Sequence, residues 1–276
     1  MRKSFIIFDK SKKCTIFAPL MILELRDLYI GYAEDADRHI VAEALSASLP
    51  KGALACLVGA NGVGKSTLMR TLSGFQPALR GEVRIDGRAI EAYTSRELSE
   101  RVGVVLTERE NAPDLTVEEV VAIGRMPYTN FWGSLSKADR HVVDEAIALV
   151  GIEHLRHKKI GRVSDGERQK TMIAKALAQQ TDIIFLDEPT AFLDYGSKVS
   201  VMRLLRQLAR EQGKAILLST HDLEIAFQTA DELWILQHDG LQTGSLDALE
   251  QLGAVSAFLS QSGLRYEAEN RRIIFV

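Results

Sequence analysis

The chain has little cysteine, a low aromatic content and almost no net charge, and these shortages exclude several classes of protein. Of its 276 residues two are cysteines, Cys14 and Cys56, too few for a disulfide framework or a four-cysteine zinc site. This favours a reducing compartment. Aromatic residues make up 7% and the formal net charge is -3. A near-neutral chain is not typical of nucleic-acid binders, which usually carry a basic surface.

The sequence also lacks any apolar run that approaches the roughly 18 residues needed to cross a bilayer as a helix. Apolar residues make up 46% and charged residues 26%, as in an average globular protein with a sizeable core. Residues 1–20 read differently: the apolar run Phe5–Phe8 is followed by charged residues and lacks the cleavage site of a secretory signal. We therefore interpret residues 1–20 as a dispensable extension or a misassigned start.

Short apolar runs alternate with helical patterns, which predicts an α/β fold with a parallel sheet covered by helices. These runs are Ala53–Val58, Val102–Leu106, Ile183–Leu186 and Ala215–Leu218. An alternating run at Ile22–Leu28 and a tight turn at Asp86-Gly87 after Val83–Ile85 predict an antiparallel part near the N-terminus. Strands are missing from about 108 to 165, so we expect a helical subdomain inserted into the α/β core.

The helical stretch carries clear start and stop signals. Thr116 and Glu119 form the pattern of a capping box, and Gly124 follows the helix as a stop. Ser136 and Asp139 begin the next helix in the same way. We divide the chain into the extension 1–20, a core of 21–106 and 166–250, a helical subdomain of 107–165, and a tail of 251–276 with a helix and strands.

One segment matches the phosphate-binding loop G-x-x-x-x-G-K-[ST] between a predicted buried strand and a predicted helix. The matching segment runs from Gly59 to Ser66. Glycines let successive backbone N–H groups face an anion, and the helix N-terminus adds a positive end. Lys65 supplies a mobile cation for the β- and γ-phosphates, and the Ser66 hydroxyl suits Mg²⁺. This predicts a P-loop NTPase core.

Two carboxylates follow the buried strand Ile183–Leu186. Asp187, at the end of the strand, would reach Mg²⁺ directly or through water, and Glu188 would act as the general base for the attacking water. Acidic residues after a strand usually cap a helix or face solvent, but the phosphate loop in the same chain favours the catalytic interpretation.

Ser164, Gly166 and Glu167 begin another helix. Ser164 and Glu167 alone form a capping box, while a serine-capped helix start that contains glycine is also a phosphate site. The two interpretations are compatible.

The order of these motifs resembles the nucleotide-binding subunit of ATP-binding cassette (ABC) transporters over nearly all of residues 22–245. The resemblance implies that phosphates and Mg²⁺ are held by Asn61, Gly62, Val63, Gly64, Lys65, Ser66 and Thr67. It also implies that Tyr32 stacks on adenine and that His221 hydrogen-bonds the γ-phosphate as a switch. Ser164, Gly166 and Glu167 resemble the signature that contacts ATP bound to the partner subunit, and Asp194 resembles the loop between the two sites.

The resemblance further implies that ATP and Mg²⁺ bind between two copies of the chain arranged head to tail. The pair would act peripherally on the cytoplasmic face of the inner (plasma) membrane with permease subunits, and indirectly with a substrate-binding protein, without nucleic acid. The permease would dock on residues 107–160, where Met126, Tyr128, Phe131 and Trp132 form either an aromatic patch or the core of the subdomain.

Two positions depart from the family pattern. Thr107 stands where the family has the glutamine that meets Mg²⁺ and the water; its hydroxyl can bond either, with a shorter reach. Asp165 replaces the first glycine of the signature; its side chain either adds a negative charge near an anion or points outward and supports the helix cap.

The segments Val121–Tyr128, Ser164–Glu167 and Thr190–Asp194 resemble the importer group for iron–siderophore, haem and vitamin B12. We also weighed a soluble ABC ATPase acting on DNA or ribosomes, and a P-loop kinase. The first usually carries extra modules, for which the spacing between Lys65 and Ser164 leaves no room. The second would make the Ser164 motif and His221 coincidences.

Overall fold

The computed structural model describes residues 6–7, 16–17, 20–34, 37–106, 114–129, 133–268, 270 and 272–275. Thr107, Phe131 and Trp132 lie outside these ranges, as does most of the predicted extension 1–20. Among the described residues, no helix combines the length and the apolar character needed to cross a membrane.

Most of the described strands form two sheets, and the others form two separate antiparallel pairs, β1 with β2 and β13 with β14. Their bounds are β1 Ile6–Ile7, β2 Ile16–Phe17, β3 Met21–Glu34, β4 Asp37–Pro50, β5 Leu54–Val58, β6 Arg80–Ile85, β7 Arg88–Ala89, β8 Val102–Val105, β9 Ile183–Leu186, β10 Ala215–Ser219, β11 Glu232–Gln237, β12 Gly240–Gly244, β13 Leu264–Glu267 and β14 Arg272–Phe275. The larger sheet has the order β12-β11-β5-β10-β9-β8, and the smaller has the order β4-β3-β6-β7. Strands β11, β5, β10, β9 and β8 run parallel, and β12 pairs antiparallel at the edge.

The helices follow the predicted alternation. Their bounds are α1 Lys65–Leu72, α2 Ser95–Ser99, α3 Val117–Ile123, α4 Lys137–Leu149, α5 Asp165–Ala178, α6 Tyr195–Gln212, α7 Leu223–Thr229, α8 Leu246–Gln251 and α9 Ala254–Ser260. Short 3₁₀ turns lie at Ile90–Ala92, Met126–Tyr128, Glu153–Leu155 and Ile160–Arg162. The predicted fold class is confirmed: a parallel α/β core is combined with an antiparallel sheet and with the helices α3 and α4 between β8 and β9.

Four of the parallel core strands, β5, β8, β9 and β10, are the apolar runs of the sequence. Every residue of β5, β9 and β10 is buried, because helices or the second sheet cover both faces of the parallel sheet. One core cluster lies between the sheet and the helices α3 to α9, and a second joins the sheet to β3, β4, β6 and α1. The sheet is therefore a rigid support for the loops at its ends.

The antiparallel sheet corrects one boundary and confirms one turn. β3 continues to Glu34 rather than ending at Leu28, because Asp27 adopts a positive φ of 44° where the pairing shifts register. This bulge lets Leu28 stay buried after the change of register. Asp86 and Gly87, with φ values of 50° and 74°, form the predicted turn between β6 and β7.

Gly124 follows helix α3, and the structure shows a reason for glycine at this position that the sequence did not reveal. It has an ordinary right-handed backbone conformation instead of the left-handed one of a C-terminal glycine stop. A Cβ atom at this position would lie 2.2 Å from the carbonyl oxygen of Lys175 and 3.1 Å from Cβ of Ala178. Gly124 therefore permits the close approach of α3 to α5.

Arg125 holds the helical segments together from the interior. Its guanidinium lies 2.9 Å from Oδ1 of Asp139 and donates hydrogen bonds to the carbonyl of Ala178 and the side chain of Gln180. Its Cζ lies 4.0 Å from the ring centroid of Tyr128. One buried cation thus connects the ends of α3 and α5 to the first turn of α4.

Candidate functional site

Three loops meet at one edge of the parallel sheet. They follow β5, β9 and β10, which are adjacent and parallel, so their carboxyl ends lie side by side. In open α/β sheets this edge is where ligands bind. The loops carry the predicted phosphate-binding residues, the pair Asp187 and Glu188, and His221.

The phosphate-binding loop between β5 and α1 depends on glycine at two positions. Gly62 and Gly64 have φ values of 79° and 110°, which side chains rarely adopt. A Cβ atom on Gly64 would also lie 2.6 Å from Cγ1 of Val41. Asn61, Gly62 and Ser66 are exposed, whereas Val63, Lys65 and Thr67 are buried. The loop offers turned backbone and the start of an eight-residue helix to solvent.

The ammonium of Lys65 lies inside this loop. Nζ donates to the carbonyl oxygens of Gly59 at 2.9 Å and Ala60 at 3.0 Å. Burial lowers the pKa of Lys65, and the nearby carboxylates of Glu188 and Asp187 oppose that shift. The cation, the loop and both carboxylates therefore belong to one electrostatic environment.

Glu188 takes an unusual backbone conformation directly after β9. Its φ of 46° lies in the left-handed region, where a residue other than glycine costs about 1–2 kcal/mol. His221 Nε2 lies 2.5 Å from Glu188 Oε1. The structure therefore brings together Glu188, the predicted general base, and His221, the switch histidine that the resemblance implied. The backbone position of Glu188 is of the kind that is often strained at functional sites.

Ser219 and Asp222 were missed by the sequence reasoning as contributors to this site. The Ser219 hydroxyl donates to Asp187 Oδ1 at 2.6 Å and accepts the backbone N–H of Glu188 at 2.8 Å. Asp222 stands at the N-cap position of α7 without a capping side-chain bond. Instead its carboxylate pairs with Lys198 Nζ at 3.0 Å.

A second group of predicted residues lies at the starts of α5 and α6. Ser164 and Glu167 form the predicted capping box, and hydrogen bonds from Ser164 lower the pKa of Glu167. A Cβ atom on Gly166 would lie 3.1 Å from Oγ of Ser197. That hydroxyl donates to Asp194 at 2.7 Å, and the backbone N–H of Ser197 lowers the pKa of Asp194. Ser164, Gly166, Glu167 and Asp194 thus form one surface group.

Tyr32 stands beside the phosphate-binding loop. Its ring is exposed, and its hydroxyl lies 3.0 Å from Oγ1 of Thr67 in α1. This hydrogen bond joins β3 to the phosphate-binding helix and orients the tyrosine ring. An exposed, oriented ring next to a phosphate site is a suitable stacking surface for a nucleobase, and adenine stacking on Tyr32 stays a prediction.

The residues of the predicted docking patch that the structure describes differ in their exposure. Met126 is exposed. Tyr128 is packed: its hydroxyl donates to the carbonyl of Gln179 at 3.0 Å, and its ring lies against Arg125. Phe131 and Trp132, like the predicted catalytic Thr107, belong to the part of the chain that the structure does not describe.

Ser66 and Asp187 are the residues that could bind Mg²⁺. Among the described residues, no cluster of three or more histidine, cysteine or acidic side chains could hold a metal ion by itself. A hydroxyl and a carboxylate are hard oxygen donors, and Mg²⁺ commonly takes one or two protein oxygens while phosphates and water complete its shell. The donor set therefore fits Mg²⁺ that arrives with a phosphate substrate.

Comparison with known proteins identifies the chemistry that this geometry serves. The family profile described as "ABC transporter" matches residues 42–191. An uncharacterised ABC transporter ATP-binding protein of Methanocaldococcus jannaschii is 39% identical over 79% of this chain and 73% of its own length. The ferric enterobactin transport ATP-binding protein FepC of Escherichia coli is 38% identical over 76% of each chain.

A solved structure from an ABC transporter has a similar fold. The structure of cbiO1 from Clostridium perfringens, described as part of the ABC transporter complex cbiONQ, superposes with a TM-score of 0.74 at 26% identity. The match covers 87% of this chain and 95% of that one.

Proposed function

Since this chain belongs to the ABC transporter family, we propose that it is the ATP-hydrolysing subunit of an importer for iron–siderophore, haem or cobalamin. The observation that carries this proposal is the cluster of Lys65, Asp187, Glu188 and His221 at one edge of the parallel sheet. It combines a cation for phosphates, a Mg²⁺ ligand and a base in one place, as phosphoryl transfer to water requires.

In this proposal the phosphate-binding loop holds the triphosphate through its backbone N–H groups, from Asn61 to Thr67. Lys65 exchanges its bonds to the loop carbonyls for the β- and γ-phosphate oxygens, which removes the cost of its burial as a cation. Tyr32 stacks on adenine. Ser66 and Asp187 would hold Mg²⁺, which would neutralise the charge that develops on the phosphate oxygens.

Glu188 then accepts a proton from the attacking water while the water oxygen bonds to the γ-phosphorus and ADP leaves. His221 donates a hydrogen bond to the γ-phosphate and keeps the Glu188 carboxylate in position. Thr107 is proposed to hold the water or Mg²⁺ through its hydroxyl, in place of the glutamine of the family. The reaction consumes water and yields ADP and phosphate.

The group of Ser164, Gly166, Glu167 and Asp194 is proposed to complete the ATP site of a second copy, head to tail. Ser164 and Asp194 are exposed and Gly166 and Glu167 are partly exposed, which supports a role across an interface. Closure of the pair around ATP would drive a permease at the cytoplasmic face of the inner membrane, with a substrate-binding protein delivering cargo. ATP can shift the pair toward the closed state only because it binds the closed state more tightly than the open one.

The cargo class is supported by the relative named for ferric enterobactin transport, which matches three quarters of this chain. The cargo itself would be recognised by the permease and the binding protein, so the residues of this chain carry the energy-coupling step alone. This limits the proposal to a class of cargo.

The test is reconstitution of the chain in proteoliposomes with its permease, which is sought among the genes next to its own. We expect Mg²⁺–ATP-dependent uptake of ferric siderophore, haem or cobalamin, and loss of that uptake with Glu188→Gln. Supplying each cargo with its binding protein in separate assays identifies the class. Co-purification with ribosomes or DNA, without any membrane protein, would support the soluble ATPase alternative and overturn the importer.

A further inference from the structure

Ser219 connects the two acidic residues of the site through a single hydroxyl group. Oγ donates its proton to Oδ1 of Asp187 at 2.6 Å and accepts the backbone N–H of Glu188 at 2.8 Å. The side chain is 0% exposed, so no water competes for either bond. A serine hydroxyl has one donor and two acceptor sites, and this arrangement uses one of each.

The two bonds act on different features of the site. The first fixes one oxygen of the Asp187 carboxylate, and hence the direction in which its other oxygen points. The second holds the peptide of Glu188 at its left-handed φ of 46°. His221, two residues after Ser219, contacts the other end of Glu188 at Oε1. The end of β10 therefore controls both the backbone and the carboxylate of Glu188.

We propose that Ser219 is a positioning residue for ATP hydrolysis, which orients Asp187 toward Mg²⁺ and Glu188 toward water. This inference rests on the proposed function. Substitution of Ser219 should lower ATP turnover more than ATP affinity, because the phosphate loop and Tyr32 do not depend on the Ser219 hydroxyl. It should also raise the Mg²⁺ concentration needed for activity, because Asp187 loses its orienting donor.

The experiment compares four variants of the chain in complex with its permease: Ser219→Ala, Ser219→Thr, Ser219→Val and the control Thr181→Val. Thr and Val have nearly the same shape, but only Thr keeps a hydroxyl. Thr181 is a buried residue just before β9, at the opposite end of the sheet, and its hydroxyl bonds to the carbonyl of Ile183. Thr181→Val therefore removes a buried hydroxyl bond far from the site.

We expect Ser219→Ala and Ser219→Val to lower kcat by about 10- to 100-fold, with a change in the KM for ATP below about 3-fold. The Mg²⁺ concentration for half-maximal activity should rise in both, and so should the Kd for Mg²⁺ that calorimetry measures in the presence of a non-hydrolysable ATP analogue. Ser219→Thr should keep most of the wild-type kcat, and Thr181→Val should leave both kcat and the Mg²⁺ requirement unchanged. The comparison of Ser219→Thr with Ser219→Val keeps the test valid even if Ser219→Ala folds poorly.

Equal activity of Ser219→Thr and Ser219→Val, or wild-type kcat in Ser219→Ala, would overturn the positioning role. So would a loss of activity in Thr181→Val as large as that in Ser219→Val, because the effect would then be one of stability. A wild-type complex without Mg²⁺–ATP hydrolysis would instead refute the proposed function. The two failures are therefore distinguished by the wild-type measurement.

Discussion

The imidazole of His221 and the carboxylate of Glu188 are in contact, with Nε2 2.5 Å from Oε1. The two residues come from loops that follow adjacent parallel strands, β10 and β9. A charged or polar neighbour at this distance restricts the rotamers of Glu188, so its carboxylate is oriented before substrate arrives. This pre-orientation is what a general base requires.

Glu188→Gln is expected to keep ATP binding and to lose nearly all ATP turnover. The amide preserves the size of the side chain, and the Ser219 bond reaches the backbone N–H rather than the carboxylate. Only the proton acceptor is removed. Single-turnover hydrolysis and ATP binding by calorimetry measure the two effects, with the exposed Glu224→Gln as the control. Undiminished turnover in Glu188→Gln would show that another group acts as the base.

Lys65→Ala is expected to weaken ATP binding by about 10-fold or more, because hydrogen bonds to charged groups contribute about 1.5–3 kcal/mol. The variant also removes the bonds from Nζ to the carbonyls of Gly59 and Ala60. Calorimetry with Mg²⁺–ATP measures the affinity, and circular dichroism checks the fold. The exposed Lys137→Ala serves as the control. Normal affinity in Lys65→Ala would refute the assignment of the phosphate-binding loop.

Arg125→Met is expected to destabilise the chain by about 3–5 kcal/mol, because it leaves the buried carboxylate of Asp139 without its cation. The side chains of Arg125 and Asp139 are 7% and 10% exposed. Urea unfolding measures the loss. Lys159→Met removes an exposed ion pair with Asp114 instead, and should cost about 1 kcal/mol or less. Equal losses in the two variants would mean that Arg125 is not a structural anchor.

The ion pair of Arg125 and Asp139 also predicts that the stability of the fold depends on pH. Hydrogen bonds from Ser136, and then the contact with Arg125, lower the pKa of Asp139 in the folded chain. A carboxyl group with a depressed pKa stabilises the fold above its unfolded pKa, and this contribution disappears as the pH falls through the folded pKa. Urea unfolding between pH 7 and about pH 3 should therefore show a smaller acid-induced loss in Asp139→Asn than in the wild type. Parallel curves would contradict this.

Tyr266→Ala is expected to lower the free energy of unfolding by about 2–4 kcal/mol, since Tyr266 is buried and packs edge-to-face on Phe227 at 5.7 Å. Phe227 lies in α7, the helix that follows His221. The control is Phe275→Ala in the neighbouring strand, whose side chain is 90% exposed. Similar stability in both variants would indicate that the C-terminal hairpin contributes little to the fold.

Several local features could be predicted from the sequence because their physical causes are local. The capping boxes at Thr116, Ser136 and Ser164 join residues three positions apart, and each is confirmed. The strand Ile183–Leu186 has the predicted bounds, since a short, continuous apolar run suits a strand that is buried on both faces. The motif order indicated the family before any fold was known.

The division into domains stays a prediction. The role of each site residue stays a prediction too, since these roles concern ligands and partner copies. Thr107 is the clearest case, because its side chain lies outside the described residues. The aromatic patch was only partly foreseeable. Nothing in the local sequence indicates that Arg125 would cover Tyr128 and leave Met126 exposed.

The sequence by itself determined that the chain has a phosphate-binding loop, an acidic pair after a buried strand, and helices with defined starts. Only the tertiary structure decided that Ser219 would bridge Asp187 and Glu188, and that Gly124 would lie against Lys175. The reason is distance along the chain. These contacts join residues 31 to 51 positions apart, and they exist because strand order and helix packing, rather than any local preference, bring their elements together.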